Sequence, residues 1–257
     1  MGARRDPDPA EFRPPARRGG RAGGPGRTAG GGGAVTAGQG GFITLEGGEG
    51  TGKSTQARRL VDRIRGLGLD AVATREPGGS PRAELIRDAL LSGAVKPLGP
   101  VAEAMMFAAA RIDHLDVTIR PALARGAFVV CDRFADSTRV YQGALEGVDA
   151  GLLAGLERVA VGPTMPDLTL VLDLDVAIGL ARARARRGAG AADRFEREAD
   201  GFHEGLRRAF LENAEREPER CLVVDASGDA DAIAETLWLI ARARFPALRR
   251  PNPGARP

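Results

Sequence analysis

The sequence predicts an α/β protein in which a five-stranded parallel sheet is covered by helices on both faces and preceded by a disordered N-terminal extension. Two observations predict this fold. From residue 41 onward, short apolar runs alternate with longer segments of helical period. A glycine-rich loop joins the first apolar run to the first helical segment. Because parallel strands need crossover helices between them, both faces of such a sheet are expected to be buried.

The predicted elements follow one another in regular order. The strands are the apolar runs Phe42–Leu45, Ala71–Ala73, Ala127–Cys131, Leu168–Leu174 and Cys221–Val224. The helical segments are Lys53–Leu67, Pro81–Leu91, Val101–Ala124, Leu152–Val161, Val176–Arg187, Phe202–Ala214 and Asp231–Phe245. Pro121 lies inside the third helical segment and predicts a kink there, because proline removes a backbone donor. Trp238 of the last segment is expected in the core, together with Ile233, Leu237 and Ile240.

The two ends of the chain differ in composition from its middle. Residues 1–40 contain 12 glycines and 5 prolines with almost no apolar periodicity, which predicts disorder. The folded domain is expected to span residues 41–247, and residues 248–257 are expected to form a flexible tail. The extension has seven arginines against three acidic residues, whereas the net charge of the whole chain is only +3. The rest of the chain is therefore slightly acidic, which argues against a nucleic-acid-binding surface.

The sequence also favours a cytoplasmic protein that does not enter a membrane. Its apolar runs are all shorter than the roughly 18 residues that a membrane span needs. Its first residues, Met1 to Asp6, lack an apolar signal core. Cys131 and Cys221 each lie in a short apolar segment, so they are expected to be buried, reduced thiols rather than a disulfide or a metal pair.

Gly47–Ser54 reads Gly-Gly-Glu-Gly-Thr-Gly-Lys-Ser and matches the phosphate-binding loop. Lys53 is one of two lysines in a chain with 35 arginines, which indicates a position where a compact ammonium is needed. The backbone N–H groups of such a loop, with the helix N-terminus behind it, bind anions. The sequence therefore predicts a site for a nucleoside polyphosphate at Gly47, Gly48, Glu49, Gly50, Thr51, Gly52, Lys53, Ser54 and Thr55.

Residues at two other strand ends predict the second half of the site. Asp132 follows an apolar strand and is expected to bind Mg²⁺ together with Ser54. Arg133 occupies the position where ATP-driven motors commonly carry a glutamate that activates water, so binding of a second anion is favoured over hydrolysis. Arg75 precedes a Pro-Gly-Gly turn at the end of the second strand. Arg75 and Arg133 could therefore clamp an acceptor phosphate.

Four motifs then occur in the order that is typical of one known family. They are Thr74–Gly79, Phe107–Arg111, Asp132–Thr138 with Tyr141–Gly143, and Asp193–Glu196. Together they resemble the thymidylate kinase family of P-loop nucleoside monophosphate kinases, over nearly all of the chain from Gly41 to Arg244. The resemblance implies that the phosphoryl group of MgATP is transferred to dTMP, and that the protein is a homodimer. Such a transfer needs no general base, because the acceptor phosphate is already ionised at pH 7. None is evident either, since the sequence contains no Ser-His-Asp or Cys-His set.

The resemblance also implies roles for individual residues. Phe107 is expected to stack on thymine and Arg111 to donate to a thymine carbonyl. Ser137, Thr138, Tyr141 and Gln142 are expected around the sugar and base. Glu49 matches the acidic loop position near the sugar 3′-hydroxyl and the acceptor phosphate. His114, one turn beyond Arg111, is interpreted as a surface or packing residue.

A basic segment ahead of a Gly/Ala stretch corresponds to the lid of the family, at about residues 183–196. Some relatives carry a basic residue within the phosphate loop, but that position here is Gly50. The catalytic arginine is therefore expected in the lid, at Arg186 or Arg187, with Arg194 as a further possibility, and Arg182 is assigned to the ATP site. Phe134 and Arg139 depart from the residues common in the family, so both are expected to alter substrate contacts.

Two other functions fit the same sequence less well. A deoxynucleoside kinase would need a carboxylate base and less positive charge at the acceptor end. An ATP-binding switch whose arginine-rich arm binds RNA would need no acceptor site at all.

Overall fold

In the computed structural model of the protein, the described residues are 40–187, 194–195 and 198–249, and five strands among them form one parallel sheet. The strand order is β2-β3-β1-β4-β5. The strands are β1 (Phe42–Glu46), β2 (Ala71–Arg75), β3 (Phe128–Asp132), β4 (Leu168–Asp173) and β5 (Cys221–Asp225). The predicted fold class is thereby confirmed. The order of the strands places β1, with the phosphate-binding loop behind it, at the centre of the sheet.

The helices lie between the strands as expected. They are α1 (Lys53–Arg65), α2 (Pro81–Ser92), α3 (Pro100–His114), α4 (Arg120–Ala124), α5 (Ala135–Thr138), α6 (Ala150–Ala160), α7 (Val176–Arg187), α8 (Asp200–Arg216) and α9 (Ala230–Arg244). Asp149 and Asp229 begin α6 and α9 by accepting hydrogen bonds from backbone N–H groups of the first turn. Short 3₁₀ helices span Lys96–Leu98 and Pro246–Arg249.

Two helical segments contain π-helical turns. A π-helical turn at Leu115–Ile119 separates α3 from α4, and Pro121 lies in the first turn of α4. The interruption expected at Pro121 thus takes the form of a wider helical turn directly before it. A second π-helical segment, Arg139–Leu145, continues α5. The whole helical stretch from Ala135 to Leu145 was absent from the sequence prediction, and it carries part of the candidate site.

The apolar side chains fill both sides of the sheet. The central strand β1 is buried at every position, whereas the edge strands β2 and β5 each contain exposed positions as well as buried ones. On one face, α1 and α9 pack on the sheet, and Trp238 lies in this core as predicted. On the other face, α3, α4 and α8 cover the strands. Both cysteines are buried and free, as expected.

Several expectations fall on residues that lie outside the described part of the chain. These are the extension up to residue 39, lid residues 188–193 and 196–197, and the tail from residue 250 onward. The side chain of Arg187 is also outside it. Leu248, which is fully buried, extends the packed structure past the expected boundary at residue 247. In the described part, none of the helices combines the length and the apolar character that a membrane crossing requires.

Candidate active site

The candidate site lies at the carboxyl edge of β1, β2 and β3. In the sheet register, Asp132 is the neighbour of Leu45 on one side and of Arg75 on the other. The three strand ends therefore deliver their following residues to one place, as parallel sheets do. A cavity of about 300 Å³ opens there. It is lined by residues from the phosphate loop, the strand ends, α3, the Ala135–Leu145 segment and the lid, including Lys53, Arg75, Phe107, Arg111, Arg133, Tyr141, Arg186 and Phe195.

The phosphate loop wraps tightly around the first turn of α1. Gly47, Gly50 and Gly52 have positive φ angles of 132°, 70° and 91°, which only glycine adopts readily. The ammonium of Lys53 donates to the carbonyl oxygen of Gly48 at 2.6 Å and to the hydroxyl of Thr51 at 3.3 Å. Burial, followed by the charge of Arg133, lowers the pKa of Lys53 to about 8, although the nearby carboxylates of Glu49, Asp132 and Glu46 raise it. A bound polyanion would raise this pKa again and so favour the charged ammonium.

The loop also meets the lid helix α7 at very short range. A Cβ at Gly50 would lie 1.9 Å from the carbonyl oxygen of Gly179, and a Cβ at Gly179 would lie 2.4 Å from the carbonyl oxygen of Glu49. Glycine at both positions therefore permits a backbone-to-backbone contact. This contact gives a structural reason for Gly50, where sequence analysis noted only the absence of a basic side chain.

Ser54 and Asp132 are placed as a magnesium site would require. The Ser54 hydroxyl donates to the Asp132 carboxylate. Among the described residues there is no cluster of three or more acidic, histidine or cysteine side chains that could hold a metal. One hydroxyl and one carboxylate oxygen nevertheless fit Mg²⁺, which commonly binds proteins through one or two such ligands and takes the others from phosphates and water.

Arg133 joins the strand end to the phosphate loop. Its backbone has a φ of 70°, an uncommon value for a residue with a side chain. The guanidinium donates to the carbonyl oxygen of Gly47 at 3.0 Å and to Glu49 at 2.7 Å, and it lies 5.3 Å from the centre of the Tyr141 ring. Although burial raises the pKa of Glu49, the positive charges of Arg133 and Lys53 lower it overall. The carboxylate of Glu49 therefore lies close to the positive charges of Arg133 and Lys53, both of which could also bind an anionic ligand.

Glu46, the last residue of β1, belongs to the site although sequence analysis ended the strand at Leu45. Its fully buried carboxylate accepts from the backbone N–H groups of Phe134 and Ser137 and from the Ser137 hydroxyl, at 2.8, 3.3 and 2.7 Å. Burial, followed by the charge of Asp136, raises the pKa of Glu46 to about 7. A charged residue that closes an apolar run just before a phosphate loop was the available signal for it.

Another part of the cavity is lined by the aromatic rings of Phe107 and Phe134 and by the Arg111 guanidinium, which could contact a flat ring. Phe107 and Arg111 reach it from α3, and Phe134 lies below Arg111, with its ring centre 5.2 Å from the guanidinium carbon. Arg111 donates through Nε to Glu76 at 2.7 Å, and through Nη2 to Thr138 Oγ1 at 3.0 Å and the Phe134 carbonyl oxygen at 3.2 Å. Glu76 is a further site residue that sequence analysis had not selected.

The Ala135–Leu145 segment supplies the polar wall of the cavity. Ser137, Thr138, Tyr141 and Gln142 all line it, and their expected contacts to a sugar and base stay a prediction. Tyr141 packs edge-on against Phe195 of the lid, with ring centres 5.0 Å apart. The segment missed at the level of secondary structure therefore brings together the four residues that were predicted from their motif.

Three further arginines, Arg58, Arg75 and Arg87, line the same cavity. Arg75 lines it and pairs with Glu84 at 3.0 Å, with about half of its side chain exposed. Two more arginines, Arg58 and Arg87, were missed by sequence analysis. Arg58 lies four residues after Ser54 on α1, so helical spacing could have placed it on the same face. Arg87 carried no such signal.

The lid arginines have different surroundings. Arg186 lines the cavity. Arg182 instead donates to the carbonyl oxygens of Ala226 and Ser227, between β5 and α9. Arg194 is buried in ion pairs with Glu103 and Glu146. Because Arg194 is held in these two ion pairs, Arg186 and Arg187 stay the predicted catalytic arginines of the lid.

The two departures from the family pattern have separate outcomes. Phe134 lines the cavity next to Arg111, so an effect on substrate contacts stays a prediction for this residue. Arg139 forms ion pairs with Glu157 and Glu217 and lies near Asp136. The expected effect of Arg139 on substrate contacts has no support in this geometry, because its charge is directed to α6 and to the end of α8.

A phosphate loop at the head of α1, facing a second cationic site across one cavity, defines a P-loop phosphotransferase. Comparison with known proteins gives the particular family. The family model described as thymidylate kinase matches residues 45–237. The chain belongs to the thymidylate kinase family, as the sequence motifs indicated.

Individual relatives agree with this assignment. The chain is 54% identical over 204 residues to a thymidylate kinase of Bradyrhizobium diazoefficiens, covering 79% of this chain and 90% of the relative. It is 56% identical over 197 residues to a thymidylate kinase of Nitrobacter winogradskyi, covering 77% and 86%. The crystal structure of thymidylate kinase from Ehrlichia chaffeensis is similar with a TM-score of 0.61 and 30% identity, covering 78% of this chain and 97% of that one.

Proposed function

We propose that the protein is a dTMP kinase, which transfers the γ-phosphoryl group of ATP to dTMP and gives dTDP and ADP. One observation carries this proposal: Lys53 of the phosphate loop, Arg133 at a strand end, and the Phe107–Arg111 ring site all line the same cavity. A phosphoryl donor and its acceptor could therefore lie end to end in this cavity, and the phosphoryl group could pass between them without entering bulk solvent. The high identity to relatives named thymidylate kinase supports the choice of acceptor.

The reaction needs alignment and charge neutralisation more than proton transfer. The nucleophile is an oxygen of a phosphate monoester, whose second pKa is roughly 6, so it is already ionised at neutral pH. Lys53 and Arg133 would neutralise the charge that builds up between donor and acceptor, and Arg186 or Arg187 would complete this neutralisation from the lid. Closure of the lid would exclude water and so favour transfer over hydrolysis.

On the donor side, the backbone of Gly47–Thr55 would hold the ATP phosphates. Ser54 and Asp132 would hold Mg²⁺, which neutralises phosphate charge and fixes the phosphate orientation when it is bound. Arg182 would border the nucleoside part of ATP, since it is anchored on the loop between β5 and α9.

On the acceptor side, the roles follow from position in the cavity. Phe107 would stack on thymine, and Arg111 would donate to a thymine carbonyl through Nη1, which none of the three hydrogen bonds described above uses. Arg75 and Arg133 would bind the acceptor phosphate, and Glu49 would lie beside the 3′-hydroxyl. The remaining contacts to sugar and base would come from Ser137, Thr138, Tyr141 and Gln142.

We further propose that the protein is a cytoplasmic homodimer. On α3, Val101, Met105 and Ile112 lie at spacings of four and seven residues, which places them on one stripe of the helix. They are 41%, 49% and 37% exposed, and Leu85 and Leu98, on two helices that contact α3, are each 70% exposed. An apolar stripe of this kind, formed by neighbouring helices, suits contact with a second copy across a two-fold axis.

A panel of nucleoside monophosphates with MgATP, followed by ADP release, tests the activity. We expect dTMP to be the best acceptor by at least tenfold in kcat/KM. Preferred turnover of thymidine would indicate a deoxynucleoside kinase instead. Salt-sensitive RNA binding that is lost on deletion of residues 1–40, without any ADP release, would indicate an ATP-binding switch.

A further inference from the structure

We propose that His114 is a positioning residue for base recognition, which acts through Glu76 to hold the Arg111 guanidinium towards the ring end of the cavity. The inference rests on the proposed dTMP kinase function and names a further determinant of its acceptor specificity. Sequence analysis treated His114 only as a surface or packing residue.

His114 is completely buried, and both of its ring nitrogens are hydrogen-bonded. Nδ1 lies 3.1 Å from Glu76 Oε1, and Nε2 lies 2.6 Å from Thr74 Oγ1. The other carboxylate oxygen of Glu76 accepts from Arg111 Nε at 2.7 Å. Thr74, His114, Glu76 and Arg111 thus form one continuous chain of hydrogen bonds from the end of β2 to the cavity.

The chemistry of these groups fixes the direction of both bonds to Glu76. Arg111 can only donate, so Glu76 accepts from it. A ring nitrogen that faces a carboxylate must carry a proton, so Nδ1 of His114 donates to Glu76, while Nε2 lies within hydrogen-bond distance of the Thr74 hydroxyl. An imidazole that holds one carboxylate oxygen stops the carboxylate from turning about its terminal torsion, which is otherwise soft. The second oxygen is then fixed in front of Arg111.

The turn after β2 is shaped to admit this imidazole. Gly79 has a φ of 82°, and a Cβ there would lie 2.3 Å from Nε2 of His114 and 2.5 Å from Thr74 Oγ1. The carbonyl oxygen of Gly79 accepts from the Thr118 hydroxyl at 2.7 Å, which holds the turn against the helix. Glycine at this position therefore leaves room for the His114 ring as well as permitting the turn.

A fixed Arg111 has a consequence for specificity. A guanidinium edge that only donates is complementary to a base with a carbonyl at the contacted position, and it leaves an amino group there unpaired. Thymine and cytosine differ in this way at one ring position. Loss of orientation at Arg111 should therefore weaken binding of dTMP and reduce its advantage over dCMP, with little effect on ATP.

The test compares His114→Leu with the wild-type protein in steady-state kinetics. Removing one hydrogen bond to a buried charged group is expected to raise the KM for dTMP about tenfold or more. The kcat/KM ratio of dTMP to dCMP should fall by a similar factor, and the KM for ATP should stay within about twofold. His114→Asn keeps a donor near the Nδ1 position and is expected to restore most of the dTMP affinity.

Two controls separate positioning from stability. Ile119→Val, in the neighbouring π-helical turn, removes one buried methyl group and should lower stability without changing the KM for dTMP. Glu76→Gln weakens the same series of hydrogen bonds at the carboxylate between His114 and Arg111. This variant tests the positioning role if His114→Leu does not fold. Equal changes in the KM values of dTMP and ATP, in either His114→Leu or Glu76→Gln, would reduce His114 to a packing residue.

A readout independent of turnover distinguishes this inference from the proposed function. The Nε proton of Arg111 is bonded to Glu76, so its NMR signal, assigned with Arg111→Lys, should exchange slowly with solvent. Exchange should accelerate at least tenfold in His114→Leu and not in Ile119→Val. Unchanged exchange would overturn the positioning role. If the wild-type protein fails to phosphorylate dTMP while the exchange behaves as expected, the proposed function is wrong and the positioning role stands.

Discussion

At the scale of single residues, Arg133 has an unfavourable left-handed backbone conformation, and its side chain is proposed to bind the acceptor phosphate. A left-handed φ on a residue with a Cβ costs free energy, and such conformations persist where surrounding contacts hold them. Here the Arg133 N–H donates to the Leu45 carbonyl oxygen at 2.9 Å, while the guanidinium holds Gly47 and Glu49. The turn aims the side chain back at the phosphate loop, where the acceptor phosphate is proposed to lie.

The first prediction concerns Arg133→Ala. Alanine has the same backbone cost at this φ, so the main loss is the positive charge between donor and acceptor. We expect kcat/KM for dTMP to fall on the order of 100- to 1000-fold, with a folded protein by circular dichroism. Arg63→Ala, which removes a surface pair with Glu235, is the matched control and should retain normal turnover. Near-normal activity of Arg133→Ala would remove Arg133 from the reaction.

The second prediction concerns the pH dependence of stability at Glu46. Burial raises the pKa of this carboxyl from 4.5 to about 7, so between these values the folded protein binds a proton that the unfolded chain releases. The free energy of unfolding therefore falls as the pH rises through this window, by up to roughly 3 kcal/mol from this group alone. Glutamine cannot ionise, so in Glu46→Gln the free energy of unfolding should not fall with pH through this group.

Urea unfolding at pH 5 and pH 8 measures the effect. The stability of Glu46→Gln relative to wild type should increase with pH, because the variant avoids burying a charge. Glu235→Gln, at an exposed position of α9, should follow the wild-type curve. A constant difference between Glu46→Gln and wild type at both pH values would show that Glu46 does not titrate in this window.

At the scale of secondary-structure elements, the sequence predicted what periodicity can show. The buried strands are continuous apolar runs and the long helices have one apolar face, so their approximate bounds were readable. The Ala135–Leu145 segment has no such signal, because Ser137, Thr138 and Gln142 face the cavity where a helix normally presents apolar residues. Its π-helical half also departs from the 3.6-residue period on which helix prediction depends.

The site residues divide in the same way. Lys53, Asp132 and Arg133 occur in local motifs, so their positions followed from the chain itself. Glu46 and Glu76 act through partners that are distant in sequence, and their roles became apparent only when the strands were placed side by side. Glu76 lies within the Thr74–Gly79 motif, but the motif does not show that its carboxylate would meet Arg111, which is 35 residues away in sequence.

The third prediction concerns the contact between the phosphate loop and α7. Replacing glycine by alanine within a helix normally stabilises a protein by about 0.5–1 kcal/mol. At Gly179 we expect the opposite sign, because the new methyl group would lie 2.4 Å from the Glu49 carbonyl oxygen. Gly179→Ala should displace the loop or the lid helix, and should raise the KM for ATP at least fivefold.

Gly155 of α6 provides the control for this change. A Cβ there meets only the end of the Arg158 side chain, at 3.7 Å, which is an ordinary contact. Gly155→Ala should raise the melting temperature slightly and leave the KM for ATP unchanged. If Gly179→Ala behaves like Gly155→Ala, the loop and the lid helix are not coupled through this contact.

At the scale of the whole molecule, the many arginines of the folded domain largely serve internal pairing. Arg220 forms two hydrogen bonds with the buried carboxylate of Asp136, at 2.7 and 2.8 Å, and Arg139 is paired with Glu157. The planar guanidinium suits such bidentate contacts better than lysine does. The high isoelectric point of about 9.3 therefore does not require a nucleic-acid surface on this domain.

The fourth prediction concerns the proposed homodimer. Met105 lies in the middle of the exposed apolar stripe of α3, so Met105→Glu would place a charge at the centre of the contact, where desolvating it is costly. Light scattering during gel filtration should give twice the chain mass of 26.9 kDa for the wild-type protein and the single mass for Met105→Glu. Leu239→Glu on α9, a position that is 55% exposed, is the control and should remain dimeric.

The proposed dimer contact should also affect the proposed acceptor site, because residues of α3 would take part in both. Phe107 and Arg111 lie on the side of the helix that faces the cavity, and Met105 and Ile112 lie on the exposed side. A partner subunit would restrain the same helix that positions the base-binding residues. Met105→Glu should therefore raise the KM for dTMP more than the KM for ATP. A monomeric wild-type protein, or a monomeric variant with unchanged dTMP kinetics, would separate assembly from substrate binding.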